Sequence, residues 1–281
     1  MPSLKSQVKR TPLSLYSVSE LISELVGRGV LNEDLFHVQQ ETAPRKAKKG
    51  SAKAKETEWE ADKKFEETAM KYLEHKTTIL EDLKSEGYVT DKETQLKGID
   101  FYATHNNKRV AVDVKSIAAE DFHTFCFEVA GNRYSGQIGW LINDKLETDY
   151  YLVTYHDVEN YGSNYSYAKY KMTEDNINRT VAYLIKKETL MDLIQKHIKS
   201  PDIPNVVKQI RNMEPNYKNK TYTIKFRVSN NSVYPYDSRD WKLTKPMVYF
   251  AVSPKKGEVP INIVVRRSLL EDIAERKWEF E

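Results

Sequence analysis

The chain has 281 residues, of which 40% are hydrophobic and 30% charged, with a formal net charge of +3. That composition describes a folded protein with ample material for a core, and it excludes a membrane-spanning bundle or a low-complexity coil. A single cysteine, Cys126, excludes an internal disulfide framework and a multi-cysteine zinc site, and without a signal-peptide-like apolar start it suggests a reducing, cytoplasmic setting.

In chain order, residues 1–40 are expected to form a small helical segment, with Ser17 and Glu20 at capping-box spacing before Leu21, Ile22, Leu25 and Val26. Residues 41–56 change character. Arg45, Lys46, Lys48, Lys49, Lys53 and Lys55 surround Pro44 and Gly50 with little apolar content, which reads as a basic, flexible linker. This linker is either a solvated tether or a nucleic-acid-binding arm, whose Lys46, Lys48, Lys49, Lys53 and Lys55 track phosphates.

Apolar spacing predicts a long helix over 57–87, ending at Gly87, with Glu66 between Phe65 and Ala69 near its buried edge. Residues 98–116 then read as a β-hairpin. Asn106 and Asn107 suit its turn because asparagine tolerates positive φ. Counting outward from that turn pairs His105 with Lys108 and sets Asp100 opposite Asp113. Lys115, two residues on, shares the face of Asp113.

Further strands are expected over 122–129, 150–155, 165–172, 221–228, 247–252 and 261–265, and helices over 187–199 and 268–277. On the 122–129 strand, Cys126 is read as a core residue and Glu128 shares its side. The order suits an α/β (α+β) fold, a mixed central sheet flanked by helices. A core at 57–186 and a C-terminal α+β region at 187–281 complete the expected division.

Two facing carboxylates repel, and a shared divalent cation turns that repulsion into a binding site. An adjacent lysine adds positive charge for a phosphate, so the trio points to metal-dependent phosphodiester chemistry. The plain alternative is a surface hairpin whose aspartates are balanced by Lys97, Lys108 or Lys115. Against it, Asp113 is set among Val110, Ala111, Val112 and Val114. A buried carboxylate requires a partner.

Gly98-Ile99-Asp100 followed by Asp113-Val114-Lys115, after a helix bearing Phe65-Glu66, resembles the PD-(D/E)xK nuclease superfamily, with its restriction-endonuclease-like fold, in phage or bacterial form. The resemblance spans roughly residues 57–155 and lacks the proline before Asp100. It implies that Asp100, Asp113 and the Val114 carbonyl bind Mg²⁺ or Mn²⁺ and that Lys115 assists the attacking water. Glu66 would be a peripheral ligand, with Glu128 and Gln137 as additional candidates. The implied activity is a Mg²⁺-dependent DNA endonuclease, RNA being left open. The alternative is a non-catalytic nucleic-acid-binding or partner-docking protein, as a homodimer or with a protein partner at either terminal region. No membrane partner is expected.

Overall fold

The computed structural model describes residues 49–281 except 120, 132–135, 160–164, 201, 218–219, 221, 230, 238–240, 242–243 and 255–258, with side chains described from residue 60 onward except at 165–167 and 215. The expected helical segment at 1–40, and Lys46 and Lys48, lie outside the described residues. The chain divides into two compact units, 1–59 and 60–281, and the architecture below is that of the second.

Helix α1 (Lys49–His75) starts inside the expected linker, eight residues before position 57, so Lys49, Lys53 and Lys55 are helical. Alanine, lysine and glutamate are strong helix formers, and their propensity outweighs the absence of an apolar stripe. The helix also ends before Gly87. The hydroxyl of Thr77 donates to the Leu73 carbonyl at 2.7 Å, the chain bends, and a single turn, α2 (Ile79–Asp82), follows. A short α3 (Lys92–Leu96) is capped by Asp91, whose carboxylate accepts from the Thr94 amide.

Strands β1 (Phe101–His105) and β2 (Lys108–Ile117) form the expected hairpin, with His105 paired to Lys108 and Phe101 to Val112. The turn residues Asn106 and Asn107 have φ of +50° and +60°, the left-handed pair of a type I′ turn. Asn107→Gly should therefore raise stability by a few tenths of a kcal/mol, and Asn107→Val should cost about 1–2 kcal/mol, both read from urea midpoints.

Two sheets follow from here. The first runs β1-β2-β4-β5-β10, where β4 is Tyr150–Val158, β5 is Ile177–Lys186 and β10 is Arg276–Phe280. It is mixed: β2 and β4 are parallel and the other neighbours antiparallel. The second runs β3-β9-β8-β6-β7 and is wholly antiparallel. Its strands are β3 (Thr124–Ala130), β6 (Ile224–Ser229), β7 (Ser232–Pro235), β8 (Val248–Val252) and β9 (Ile261–Arg266). The strand after the hairpin thus leaves the hairpin's sheet. The stretches 57–186 and 187–281 interleave, since β3 pairs with β9 and β10 with β5.

Alternation explains the layers. On β4 and β5, Tyr151, Val153, Tyr155, Val181, Tyr183 and Ile185 face the second sheet, meeting Phe127, Ile263 and Phe250 in the largest core cluster. The opposite residues, with Val110, Val112 and Phe101, pack under Leu73, Ile79 and Leu83. Helix α4 (Tyr165–Lys171) stands where a strand is expected. There Ala168 and Met172 join Phe65, Ala69 and Tyr72 in a third cluster, a helical spacing that overrides the β-propensity of tyrosine. Helix α5 (Lys187–Ile198) matches expectation, and α6 (Ile203–Asn212) begins with Pro204 inside its first turn. Helix α7 (Arg267–Ile273) is shorter than expected because the chain turns into β10. Among the described residues, no helix is long and apolar enough to cross a membrane.

A polar seam runs through the layer between α1 and the first sheet. His156, fully buried, bonds Thr154 Oγ1 at 3.0 Å and Thr180 Oγ1 at 2.8 Å, while Thr154 meets Ser116 Oγ at 2.7 Å. Burial pushes the imidazole pKa down to about 3, so the ring is neutral and its two hydroxyl partners satisfy both nitrogens.

Candidate functional site

The site is built where the hairpin forks. β2 pairs with β1 as far as Val112 and with β4 from Val112 to Ile117, so the β1 side of β2 is open beyond Val112. Asp100, the residue before β1, covers that opening. Its amide donates to the Val112 carbonyl at 2.9 Å, and its Oδ2 accepts from the Val114 amide at 2.7 Å. A strand residue points its N–H and C=O to the same side, so the Val114 carbonyl faces the same opening. Continuing the hairpin register by one residue sets Asp100 opposite Asp113. On the other side of β2, the Asp149 carboxylate accepts from the Ala111 amide at 2.8 Å, a structural role.

Asp113 is 4% exposed. Lys115 Nζ reaches its Oδ1 at 2.5 Å while keeping about a quarter of its own side chain in solvent, 27%. Burial pushes the Asp113 carboxyl up to about 7; Lys115 opposes that shift, and the neighbouring Asp100 adds to it. Burial works against the Lys115 charge, but Asp113, Asp100 and Glu66 outweigh it and hold the ammonium above its ordinary range. The Glu66 carboxyl is also raised, first by burial, with Lys115 opposing and Asp100 reinforcing. These couplings place four ionisable groups within one field.

Glu66, Asp100, Val114 and Lys115 line one cavity of about 290 Å³, closed by Phe125, Cys126 and Trp140. α1 delivers Glu66 because Phe65 and Ala69 anchor that face of the helix in the third core cluster. Two other sequence candidates lie elsewhere. Glu128 Oε1 sits against Gly131 beside Gln137, and Gln137 lines a different cavity with Arg211 and Glu214. Cys126 is exposed rather than in the core, since it is Phe125, Phe127 and Val129 that point inward.

The fold adds residues that the motif does not contain. The Trp140 ring lies 4.9 Å from Lys115 Nζ and is itself held by Phe127 and Tyr151, at 5.7 Å and 5.3 Å. Tyr151 pairs with Asp113 across the parallel strands, and its buried hydroxyl has no hydrogen-bond partner among the described residues. Burial, then the Asp113 charge, raise its pKa. Lys187, at the β5–α5 junction, is lowered by burial and feels Asp113 as its strongest opposing charge.

Among the described residues, no group of three or more His, Cys, Asp or Glu side chains is arranged to hold a metal ion. The donors that do converge on the fork are two carboxylates and a backbone carbonyl, with Glu66 at the rim. These are hard oxygen ligands of the kind Mg²⁺ and Mn²⁺ prefer, although Lys115 already supplies one positive charge to Asp113. Comparison with family models, with curated proteins and with solved structures returns no match to this chain.

Proposed function

We propose that this chain is a Mg²⁺- or Mn²⁺-dependent nuclease that hydrolyses phosphodiester bonds of DNA as an endonuclease, on a restriction-endonuclease-like core. The observation that carries the reading is the fork of the hairpin, where Asp100 stands opposite a buried Asp113 with Lys115 beside it. A helix bearing Glu66 over a mixed sheet agrees with such a core; the departure of β3 to the second sheet is a difference from the expected strand order.

Asp100, Asp113 and the Val114 carbonyl would hold the ion, which when bound supplies Lewis-acid activation of water and charge neutralisation at phosphate. The chain's own part is positioning. The Val114 amide fixes the Asp100 carboxylate, and the Trp140 ring faces the Lys115 ammonium at the cavity. Lys115, kept cationic, offers its ammonium to a phosphate oxygen entering from the open side.

The test is incubation of the purified protein with duplex, single-stranded and branched DNA in Mg²⁺, Mn²⁺ or EDTA, with Asp100→Asn in parallel. Cutting that requires the metal and is lost in Asp100→Asn is the expected result. No cutting in either metal, or equal cutting by the variant, rejects the proposal. The second reading, a non-catalytic nucleic-acid-binding protein, has one observation in its favour: Lys115 already neutralises Asp113 at 2.5 Å without any ion. It predicts salt-dependent binding that a chelator leaves unchanged.

A further inference from the structure

The second sheet carries a groove at the edge opposite β3. It has a volume of about 870 Å³ and shares no residue with the carboxylate cavity. Tyr222, Tyr234, Tyr236 and Trp241 line it, interleaved with Lys220 and Lys225. Lys225 Nζ lies 3.5 Å from the Trp241 ring centroid, and the Arg227 guanidinium lies 6.0 Å and 5.9 Å from the rings of Tyr234 and Tyr236. Asp237 is the one acidic residue among the described lining.

Two features set this groove apart from an ordinary tyrosine-rich surface. Among the described residues five large apolar side chains are exposed, and two of them, Tyr222 at 60% and Tyr234 at 46%, stand here. The register also alternates charge with ring. Arg227 is paired with Tyr234, and the Tyr236 amide donates to the Lys225 carbonyl at 2.8 Å. Tyr234 and Tyr236 are two residues apart, about 6.8 Å in extended chain, and the one Arg227 guanidinium lies near both rings.

We infer that this groove binds a single strand of nucleic acid, its bases stacked on the exposed Tyr222 and Tyr234 and its phosphates met by Lys220, Lys225 and Arg227. The aromatic faces need bases that are not already stacked in a duplex, and the cations supply charge complementarity to a backbone. An uncharged peptide would use the rings but not the cations, and an acidic peptide would offer the rings fewer flat faces than a run of bases does. The inference rests on the nucleic-acid reading above and adds a strand-holding surface distinct from the site of chemistry.

Fluorescence anisotropy with an oligothymidine of about 12 nucleotides, in EDTA so that no cutting intervenes, tests it. The wild-type chain should bind the oligomer and prefer it to a duplex competitor. Tyr222→Leu with Tyr234→Leu should weaken binding roughly tenfold or more, whereas the matching phenylalanine pair should retain it. Tyr170→Leu, which alters an exposed tyrosine elsewhere, should change nothing. Because Tyr222 and Tyr234 are exposed, their replacement leaves the core intact, as circular dichroism should verify. No binding by the wild type, equal affinity in the leucine pair, or equal competition by duplex overturns the inference. Groove-dependent binding without DNA cutting would reject the nuclease proposal alone. Metal-dependent cutting with binding unaltered in the leucine pair would reject the groove alone.

Discussion

Asp113→Asn should reduce metal-dependent DNA cleavage roughly a hundredfold to a thousandfold while leaving the fold intact. The substitution conserves shape at a position that is 4% exposed and removes the carboxylate that Lys115 and Asp100 share. Asparagine's neutral amide cannot replace the charge that a hard cation requires. Calorimetric titration with Mn²⁺ separates this loss from a folding defect. With the Asp113 carboxyl pushed up to about 7, much of the wild-type population holds a proton there at pH 6.5, and an arriving cation must displace it. Binding heats measured in two buffers of different ionisation enthalpy should therefore reveal proton release in the wild type and little in Asp113→Asn. The sign for activity is the same. At subsaturating metal, wild-type cleavage should rise with pH, because the ionised carboxylate is the form that takes the ion, and saturating metal should move that rise to lower pH. Retained cleavage, or equal Mn²⁺ affinity in the variant, would refute the assignment of Asp113.

The hairpin and its facing aspartates are legible in sequence because their causes are local. An Asn-Asn turn sets the register, and strict period-2 alternation then assigns each side chain to a face. Glu66 is legible for a similar reason, since Phe65 and Ala69 mark the buried side of one helical turn. What lies beyond local rules is the choice of partner. Alternation in Phe125, Phe127 and Val129 announces one buried face, but it does not say that the face covers the first sheet from a second one. Strand β5 escapes notice because it is buried on both faces and carries no alternation, though its run of Val181 to Ile185 is apolar throughout. Trp140 reaches Lys115, and Tyr151 and Lys187 approach Asp113, only through strand pairing and layer packing. Glu128 and Gln137 fail for the converse reason. They follow the motif in sequence, but Glu128 lies further along β3 than the cavity-lining Cys126, against Gly131 beside Gln137, and Gln137 lines another cavity.

Two buried groups should give the protein opposed responses to acid, and single substitutions should expose each. The His156 pKa falls from its ordinary 6.5 to about 3 because burial disfavours the imidazolium. Its unfolded form therefore binds the extra proton first, and its stabilising contribution, complete above pH 6.5, is lost as pH falls toward 3. The amount is on the order of 4–5 kcal/mol. Asp113 works the other way. Its carboxyl rises from 3.8 to about 7, so the folded state holds the proton more tightly and stability declines as pH rises through that interval, on the order of 4 kcal/mol. The two windows overlap between about pH 4 and 6.5, where the contributions of these two groups nearly cancel. Relative to the wild type, His156→Gln, whose amide can still meet Thr154 and Thr180, should lose stability as pH rises from about 4 to 6.5, because the Asp113 decline is no longer offset. Relative to the wild type, Asp113→Asn should lose stability as pH falls below about 7. Each difference should approach about 1.4 kcal/mol per pH unit where it is steepest, and in the double variant the two should nearly cancel over that window. Parallel profiles for the wild type and both single variants would show that neither group is buried in the charge state assigned to it. Saturating Mn²⁺ provides the link to the site, since a cation that keeps Asp113 ionised should remove the decline toward pH 7 in His156→Gln and leave the acid limb of Asp113→Asn untouched.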